Sequence, residues 1–404
     1  MAVRFVDSTD TAFLERSCAA GTPVFVFGAS AFGRVVLDAA KTVGLTVAGF
    51  CDNNPRLVEQ GMDGVPVVLP EAAAAVPDSL FLVAIADRLI SVLPQLKRLG
   101  MDGRCLTLGL VEIAAQKGLP GLDETKRRTL EKCLFTQRSF VGKGGVWISK
   151  LILTVTERCT LRCRDCITRI PYFERAEQPS GYELKQIIDA AVLCVDGIYE
   201  LYLQGGDSLL HPELVDVVTH ALTYDTVYRV GVLTNAIVPV RAETWGKLRG
   251  RNIAFYVSDY GRPQQDVGRF VDEMEALGFE YHINPRARVW SRVSVTTSPN
   301  TDAERNHYVF LNCIPASCPV ILGTRLTRCG LVASAVKQGS MPYIDADFVD
   351  LSAVMAGERL AETREAIREL VFEKEVMPSC AYCTGRVSFL SPEVEPAVQL
   401  PPRS

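Results

Sequence analysis

Cysteines are the residues of this chain most able to do chemistry. Of the 13 in its 404 residues, Cys159, Cys163 and Cys166 follow one another as C-x3-C-x2-C, directly after the apolar run 151–156. A strand ending in a short loop of thiolates is a geometry that binds a cluster. A [4Fe-4S] cluster takes four thiolates, so three leave one iron open to an external ligand. The spacing alone also admits a structural zinc site or three unrelated buried thiols. Zinc prefers four ligands, however, and no fourth stands near in the sequence.

A second set lies toward the C-terminus. Residues 318–329, Cys-Pro-Val-Ile-Leu-Gly-Thr-Arg-Leu-Thr-Arg-Cys, read as a hairpin turning on Gly323-Thr324. That register pairs Leu322 with Arg325 and brings Cys318 opposite Cys329. Cys380-Ala-Tyr-Cys383 adds a C-x2-C pair. Together the four form a closed site that suits zinc or an iron–sulfur cluster. Cys313 is left over; it could replace Cys318 as a ligand, donate a hydrogen atom, or be a buried thiol. The register favours Cys318 as the ligand. Cys18, Cys51, Cys105, Cys133 and Cys194 lie on apolar or helical stretches and read as packing residues.

These groups need a frame to position them. Strands at 148–156, 200–204, 228–233, 253–257 and 280–283 alternate with helical patterns, which predicts a parallel sheet with crossover helices. In such folds functional residues gather at the carboxyl ends of the strands. The cysteine loop follows the first strand, Gly205-Gly206-Asp207 the second, Thr234-Asn235 the third and Ser258-Asp259 the fourth.

In that order these elements resemble the radical S-adenosylmethionine (radical SAM) enzymes. The resemblance implies a partial (β/α)6 TIM barrel. Cys159, Cys163 and Cys166 would hold a [4Fe-4S] cluster whose open iron chelates SAM. Gly205, Gly206 and Asp207 would take the SAM amino group, and Thr234, Asn235, Ser258 and Asp259 would make further SAM contacts. Reductive cleavage of SAM would give a 5′-deoxyadenosyl radical that abstracts hydrogen from substrate. Two departures stand out: Asp207 replaces the usual glutamate, and Asp165 replaces the usual aromatic beside the third cysteine. The hairpin, helix and C-x2-C pair resemble a Twitch domain, shorter than the full SPASM pattern. This implies a second [4Fe-4S] cluster on Cys318, Cys329, Cys380 and Cys383, and the family implies a reductase, flavodoxin or ferredoxin as electron donor.

Residues 1–117 read as a Rossmann-like domain. A strand at 24–27 runs into Gly28-Ala-Ser-Ala-Phe-Gly33, then a helix, then a strand ending at Asp52. Ser30 stands where a dinucleotide fingerprint has its middle glycine. The stretch resembles the N-terminal domain of bacterial sugar acetyltransferases, which implies either nucleotide-sugar binding or a docking module. Residues 118–147 read as a linker holding a charged amphipathic helix, 148–300 as the barrel, 301–390 as the Twitch region and 391–404 as a proline-rich disordered tail.

The expected fold is thus α/β: a Rossmann-like domain, a partial barrel, and a small domain with a β-hairpin and helix. Net charge is −4, from 43 basic and 47 acidic residues, which gives no reason to expect nucleic acid as a partner. No apolar run reaches the ~18 residues of a membrane span, and thirteen cysteines suit a reducing compartment. A cytoplasmic protein is expected. Its expected substrate is a small polar molecule: a sugar, nucleotide sugar or aminoglycoside-like compound, dehydrogenated or epimerised. Arg286, Arg288, Trp290 and Arg292 alternate after the fifth strand, as a solvated edge or a polar substrate pocket would. Rival readings are a peptide-modifying radical SAM maturase and a non-catalytic iron–sulfur redox protein.

Overall fold

The structure, a computed structural model, describes the whole chain apart from residues 1–2, 87, 143–144, 285–289, 314–317, 388–389 and 402–404. Arg286 and Arg288 therefore lie outside the described residues. The chain divides into two units, Met1–Ser149 and Lys150–Ser404.

In the first unit, β1 (Phe5–Val6), β2 (Pro23–Phe27), β3 (Thr46–Cys51), β4 (Val67–Val68), β5 (Leu80–Val83) and β6 (Cys105–Leu106) pair in parallel in the order β1-β6-β5-β2-β3-β4. Val24, Val26 and Phe27 are almost wholly buried, the continuous apolar run of a strand covered on both faces. Helix Ala31–Thr42 starts where the Ser30 hydroxyl accepts from the Gly33 amide at 3.0 Å. Asp52 accepts from the Ala29 amide at 2.9 Å. The two amides that would face a phosphate at such a turn are thus satisfied within the unit itself.

Residues 118–147 depart from the expected linker. Helix Glu124–Gln137 packs Leu130 and Cys133 into the same apolar core as Val24, Val26 and Leu106. Its last residue, Gln137, is fully buried. The Gln137 side chain accepts from the Leu108 amide at 2.9 Å and donates to the Val83 carbonyl at 3.2 Å. The helix carries many charges on its outer face, which masks the narrow apolar stripe that docks it. A short strand, β7 (Trp147–Ile148), ends this stretch.

The second unit is built on a partial parallel barrel. β8 (Leu151–Thr156), β9 (Gly197–Gly205), β10 (Val227–Thr234), β11 (Ile253–Ser258) and β12 (Glu280–Asn284) pair in parallel in sequence order. Helices Gly181–Leu193, Leu214–Ala221, Ala242–Trp245 and Val267–Leu277 make the crossovers. The first is fixed by a reciprocal capping box between Ser180 and Glu183. Inside the sheet, fully buried Glu200 accepts from the Tyr256 hydroxyl, and Arg229 reaches Glu280 at 2.6 Å. These groups stand on β9 to β12 and tie those strands into one register.

The auxiliary elements continue the same sheet. Past β13 (Trp290–Ser291), β14 (Val320–Leu322) runs parallel to β8, and β15 (Arg325–Thr327) and β16 (Val349–Asp350) follow antiparallel. Leu322 pairs with Arg325, the register the turn predicts. Helix Gly330–Lys337 begins directly after Cys329.

The tail also departs from expectation. Instead of disorder, residues 391–401 form an extended strap. β17 (Glu393–Val394) pairs with β13, Arg262 reaches Glu395 at 2.9 Å and also bonds the Pro396 carbonyl, and Ala397 is completely buried. The prolines that suggest disorder fix φ near −65° and hold an extended path just as well.

Candidate metal and cofactor site

β8 delivers the cysteine loop, and the end of β9 packs directly behind it. The Gly206 amide donates to the Thr156 carbonyl at 3.0 Å and the Asp207 amide to the Arg158 carbonyl at 2.9 Å. A Cβ on Gly205 would stand 2.0 Å from the Thr156 oxygen, and one on Gly206 would stand 2.1 Å from the Arg158 oxygen. Only glycine permits this approach. In front of the two glycines lies a cavity of about 180 Å3, lined by Cys159, Cys163, Cys166, Thr234, Asn235 and Ser258. Tyr260 and Trp290 form another wall, with their rings edge to face at 5.3 Å between centroids.

Asp207 and Asp259 are not among the residues lining this cavity. Asp207 is completely buried and acts as a brace. Its carboxylate accepts from the Thr234 hydroxyl at 3.0 and 3.1 Å, the Asn235 amide at 3.2 Å and the Leu209 amide at 3.1 Å. Burial pushes its pKa up, against these hydrogen bonds. Asp259 accepts from the Gly261 amide at 2.9 Å and closes a turn. Asn235, held this way, donates its side-chain amide to Thr160 at 2.9 Å and points the same nitrogen toward the Cys159 sulfur, 3.8 Å away.

The tail strap reaches the same loop. The Gln399 side chain donates to the Cys163 sulfur at 3.3 Å and accepts from the Arg162 amide at 2.6 Å. The Arg164 amide donates to Val398 and the Leu400 amide to Arg162, each at 2.8 Å. No sequence signal points to this contact: a glutamine 236 positions away carries no motif. Asp165 turns out to be an ion-pair centre. Burial alone would push its pKa up. Hydrogen bonds from Arg292 (2.8 Å) and Arg164 (3.0 Å) more than reverse that, and the pKa lies below the usual carboxylate range.

In the second set, Cys313 and Cys380 pack in one apolar cluster and Cys329 and Cys383 in another. The Arg386 amide donates to the Cys313 sulfur and the Gly385 amide to the Cys383 sulfur, each at 3.2 Å. Arg305 braces the C-x2-C turn through the Cys380 and Cys383 carbonyls, at 3.2 and 2.7 Å. The hairpin register is the one expected, and Cys313 stands at the C-terminal cap of helix Ala303–Asn312.

Parts of the chain are similar to known proteins. Residues 23–90 match the model of the PglD N-terminal domain. A stretch of 91 residues is 31% identical to molybdenum cofactor biosynthesis protein 1 of Homo sapiens, covering 22% of this chain and 14% of that protein. A stretch of 102 residues is 30% identical to GTP 3′,8-cyclase of Streptomyces coelicolor, covering 25% of this chain and 30% of the relative. The chain therefore matches only a minor part of the length of these relatives. Similar solved structures include BtrN in complex with AdoMet and 2-DOIA (14% identity, TM-score 0.37, 59% of this chain and 94% of that one). Another is Streptococcus suis SuiB bound to S-adenosylmethionine (13% identity, TM-score 0.27, 49% of each chain).

Over about a quarter of its length the chain is thus similar to these relatives. The loop of Cys159, Cys163 and Cys166 has the donor set of an iron–sulfur centre. Burial pushes the Cys159 thiol up to about 12 and the Cys163 thiol up to about 11. Such thiols become thiolates when a cation binds them. The Leu161 amide, 3.4 Å from the Cys159 sulfur, and Gln399 at Cys163 already donate as they would to thiolates. Among the described residues no three His, Cys, Asp or Glu side chains gather as a site for one metal ion. A four-iron cluster spreads its ligands wider than a single ion does. At the auxiliary group, burial raises the Cys329 and Cys380 thiols and lowers the fully buried Arg328 to about 10. An anionic cluster held by these cysteines would offset part of the cost of burying that guanidinium.

Proposed function

We propose that this chain cleaves S-adenosylmethionine reductively and uses the resulting 5′-deoxyadenosyl radical to abstract a hydrogen atom from a bound substrate. The observation that carries this reading is the single cavity that Cys159, Cys163, Cys166, Gly205 and Gly206 share with Thr234, Asn235 and Ser258. The three cysteines would hold a [4Fe-4S] cluster, which when bound supplies the electron for SAM cleavage. The glycine backbone, Thr234, Asn235 and Ser258 would seat SAM, with Asp207 holding that seat rigid from behind and Asp259 closing the turn beyond β11. Tyr260 and Trp290 exclude water from the cavity. Cys313, Cys329, Cys380 and Cys383 would hold a second [4Fe-4S] cluster able to take an electron from the substrate radical. That assignment gives Cys313 a ligand's role instead of a hydrogen donor's. A flavodoxin, ferredoxin or reductase would supply electrons.

The sugar-type substrate keeps only the PglD-like match of residues 23–90 in its favour. Relatives that match about a quarter of the chain bear the name GTP 3′,8-cyclase, which favours a nucleotide-like substrate. A peptide maturase is the second reading and supplies a separate arm of the assay. The test is anaerobic reconstitution of the full chain, reduction with dithionite, and measurement of 5′-deoxyadenosine. Formation that depends on Cys159, Cys163 and Cys166 supports the reading. A reduced cluster without 5′-deoxyadenosine leaves an iron–sulfur redox protein. Stimulation by a nucleotide, a nucleotide sugar or a peptide then names the substrate class.

A further inference from the structure

A second cavity, of about 430 Å3, shares Cys166 and Ile167 with the first and is lined by Arg164, Asp165, Arg169, Tyr172, Arg292 and Ser340. Leu331, two residues after Cys329, and Val295, which bridges to Cys383, line it as well. The cavity therefore extends from the first cysteine loop to the auxiliary group. Its charge is unbalanced, with three guanidiniums against one carboxylate. Asp165 serves Arg164 and Arg292.

Arg169 has no carboxylate within ion-pair distance among the described residues. Its Nε donates to Gln338 at 2.8 Å and one terminal nitrogen to Ser340 at 3.1 Å, both neutral acceptors. A guanidinium has five N–H donors, so these two bonds leave others for the cavity. The side chain is held in place. Gln338 also donates to the Arg169 carbonyl at 3.0 Å, the guanidinium lies 5.1 Å from the Tyr172 ring centroid, and the backbone takes a left-handed φ of 56°. That conformation is strained for a non-glycine residue, and the surroundings must over-determine it. The Arg169 amide donates to the Cys166 carbonyl at 2.9 Å, which places the residue beside the first cysteine group.

We propose that this cavity is a substrate subsite for an anionic group, a phosphate or a carboxylate, gripped by Arg169 with Arg292 beside it. The inference rests on the proposed radical SAM function and adds a requirement to it: the substrate carries a negative charge. Guanidinium binds either oxyanion in a bidentate, planar fashion. An anion there would hold the rest of the substrate beside Cys166, between the two proposed clusters.

The test is arginine labelling with phenylglyoxal on the reconstituted full chain, mapped by mass spectrometry, with pyrophosphate and citrate as the two probes. Protection of Arg169 and Arg292 by either anion is expected, and the probe that protects at the lower concentration tells phosphate from carboxylate. Arg169→Gln should weaken the protection of Arg292 about tenfold, the loss of one charge-assisted hydrogen-bond pair. Iron content shows that the variant still folds, and protection in the wild-type chain stands without it. Labelling of Arg169 at an unchanged rate with both probes overturns the inference. 5′-Deoxyadenosine is assayed on the same preparation. Cleavage without protection overturns the subsite and spares the radical reading. Protection without cleavage does the reverse.

Discussion

The two cysteine groups differ in what surrounds them. The first stands on a loop beyond β8 and opens onto a cavity, with Cys159 and Cys166 partly exposed. Its sulfurs receive hydrogen bonds from the loop amide of Leu161 and from Gln399 of the tail. The second is more closed: Cys313, Cys329 and Cys380 are each 8% exposed or less and Cys383 alone is partly exposed, with Arg328 wholly buried. An open set leaves room for an exchangeable ligand, and a closed set with a buried cation stores charge. The comparison supports the proposal of chemistry at the first group and electron acceptance at the second.

The largest expected effect falls on the open set. Cys163→Ala should remove one cluster's iron and abolish 5′-deoxyadenosine formation, while the iron of the auxiliary group remains. The paired variants Cys313→Ala and Cys318→Ala sharpen the closed set. The first should lose the auxiliary iron and keep SAM cleavage, and the second should keep both. Iron analysis reads the difference, and the opposite pattern would return Cys318 to the ligand set.

Asp207 comes next. Asp207→Ala leaves the Thr234 hydroxyl and the amides of Leu209 and Asn235 without their acceptor, at about 1–3 kcal/mol for each buried group left unsatisfied. Denaturant unfolding of the second unit should show the loss, and SAM binding should weaken as Asn235 shifts. Unchanged stability would remove the brace. The smallest effect belongs to Gln399. Hydrogen bonds to cluster sulfurs are among the factors that set reduction potential. Gln399→Leu should move the first cluster's midpoint to more negative values and leave the second unchanged, as read by redox titration with electron spin detection. Equal shifts in both would mean a general disturbance.

The barrel was legible because its signals are local. Each strand ends in its own turn residues, and the capping box at Ser180 and the Gly323-Thr324 turn announce themselves within a few positions. Gly205 and Gly206 were legible for the same reason, since a missing side chain at a strand end implies close approach. Contacts that join distant segments were not legible. The stripe of Leu130 and Cys133 was hidden under a charged helix face, and the strap at 391–401 looked like disorder because proline content does not separate a free chain from a docked extended one. The choice between Cys313 and Cys318 is not legible, because hairpin register fixes which residues oppose each other, not which sulfurs converge. Asp207 sat in the right motif, yet which way its carboxylate turns depends on Thr234 and Asn235, contributed by the next strand.

The most direct test of the central claim is the electron spin resonance spectrum of the reduced full chain with and without S-adenosylmethionine. If the open set leaves one iron free, adding SAM should shift the signal of one cluster and leave the auxiliary signal in place, and Cys163→Ala should abolish the shift. A spectrum identical with and without SAM, from a chain carrying a reduced cluster on Cys159, Cys163 and Cys166, would contradict the account.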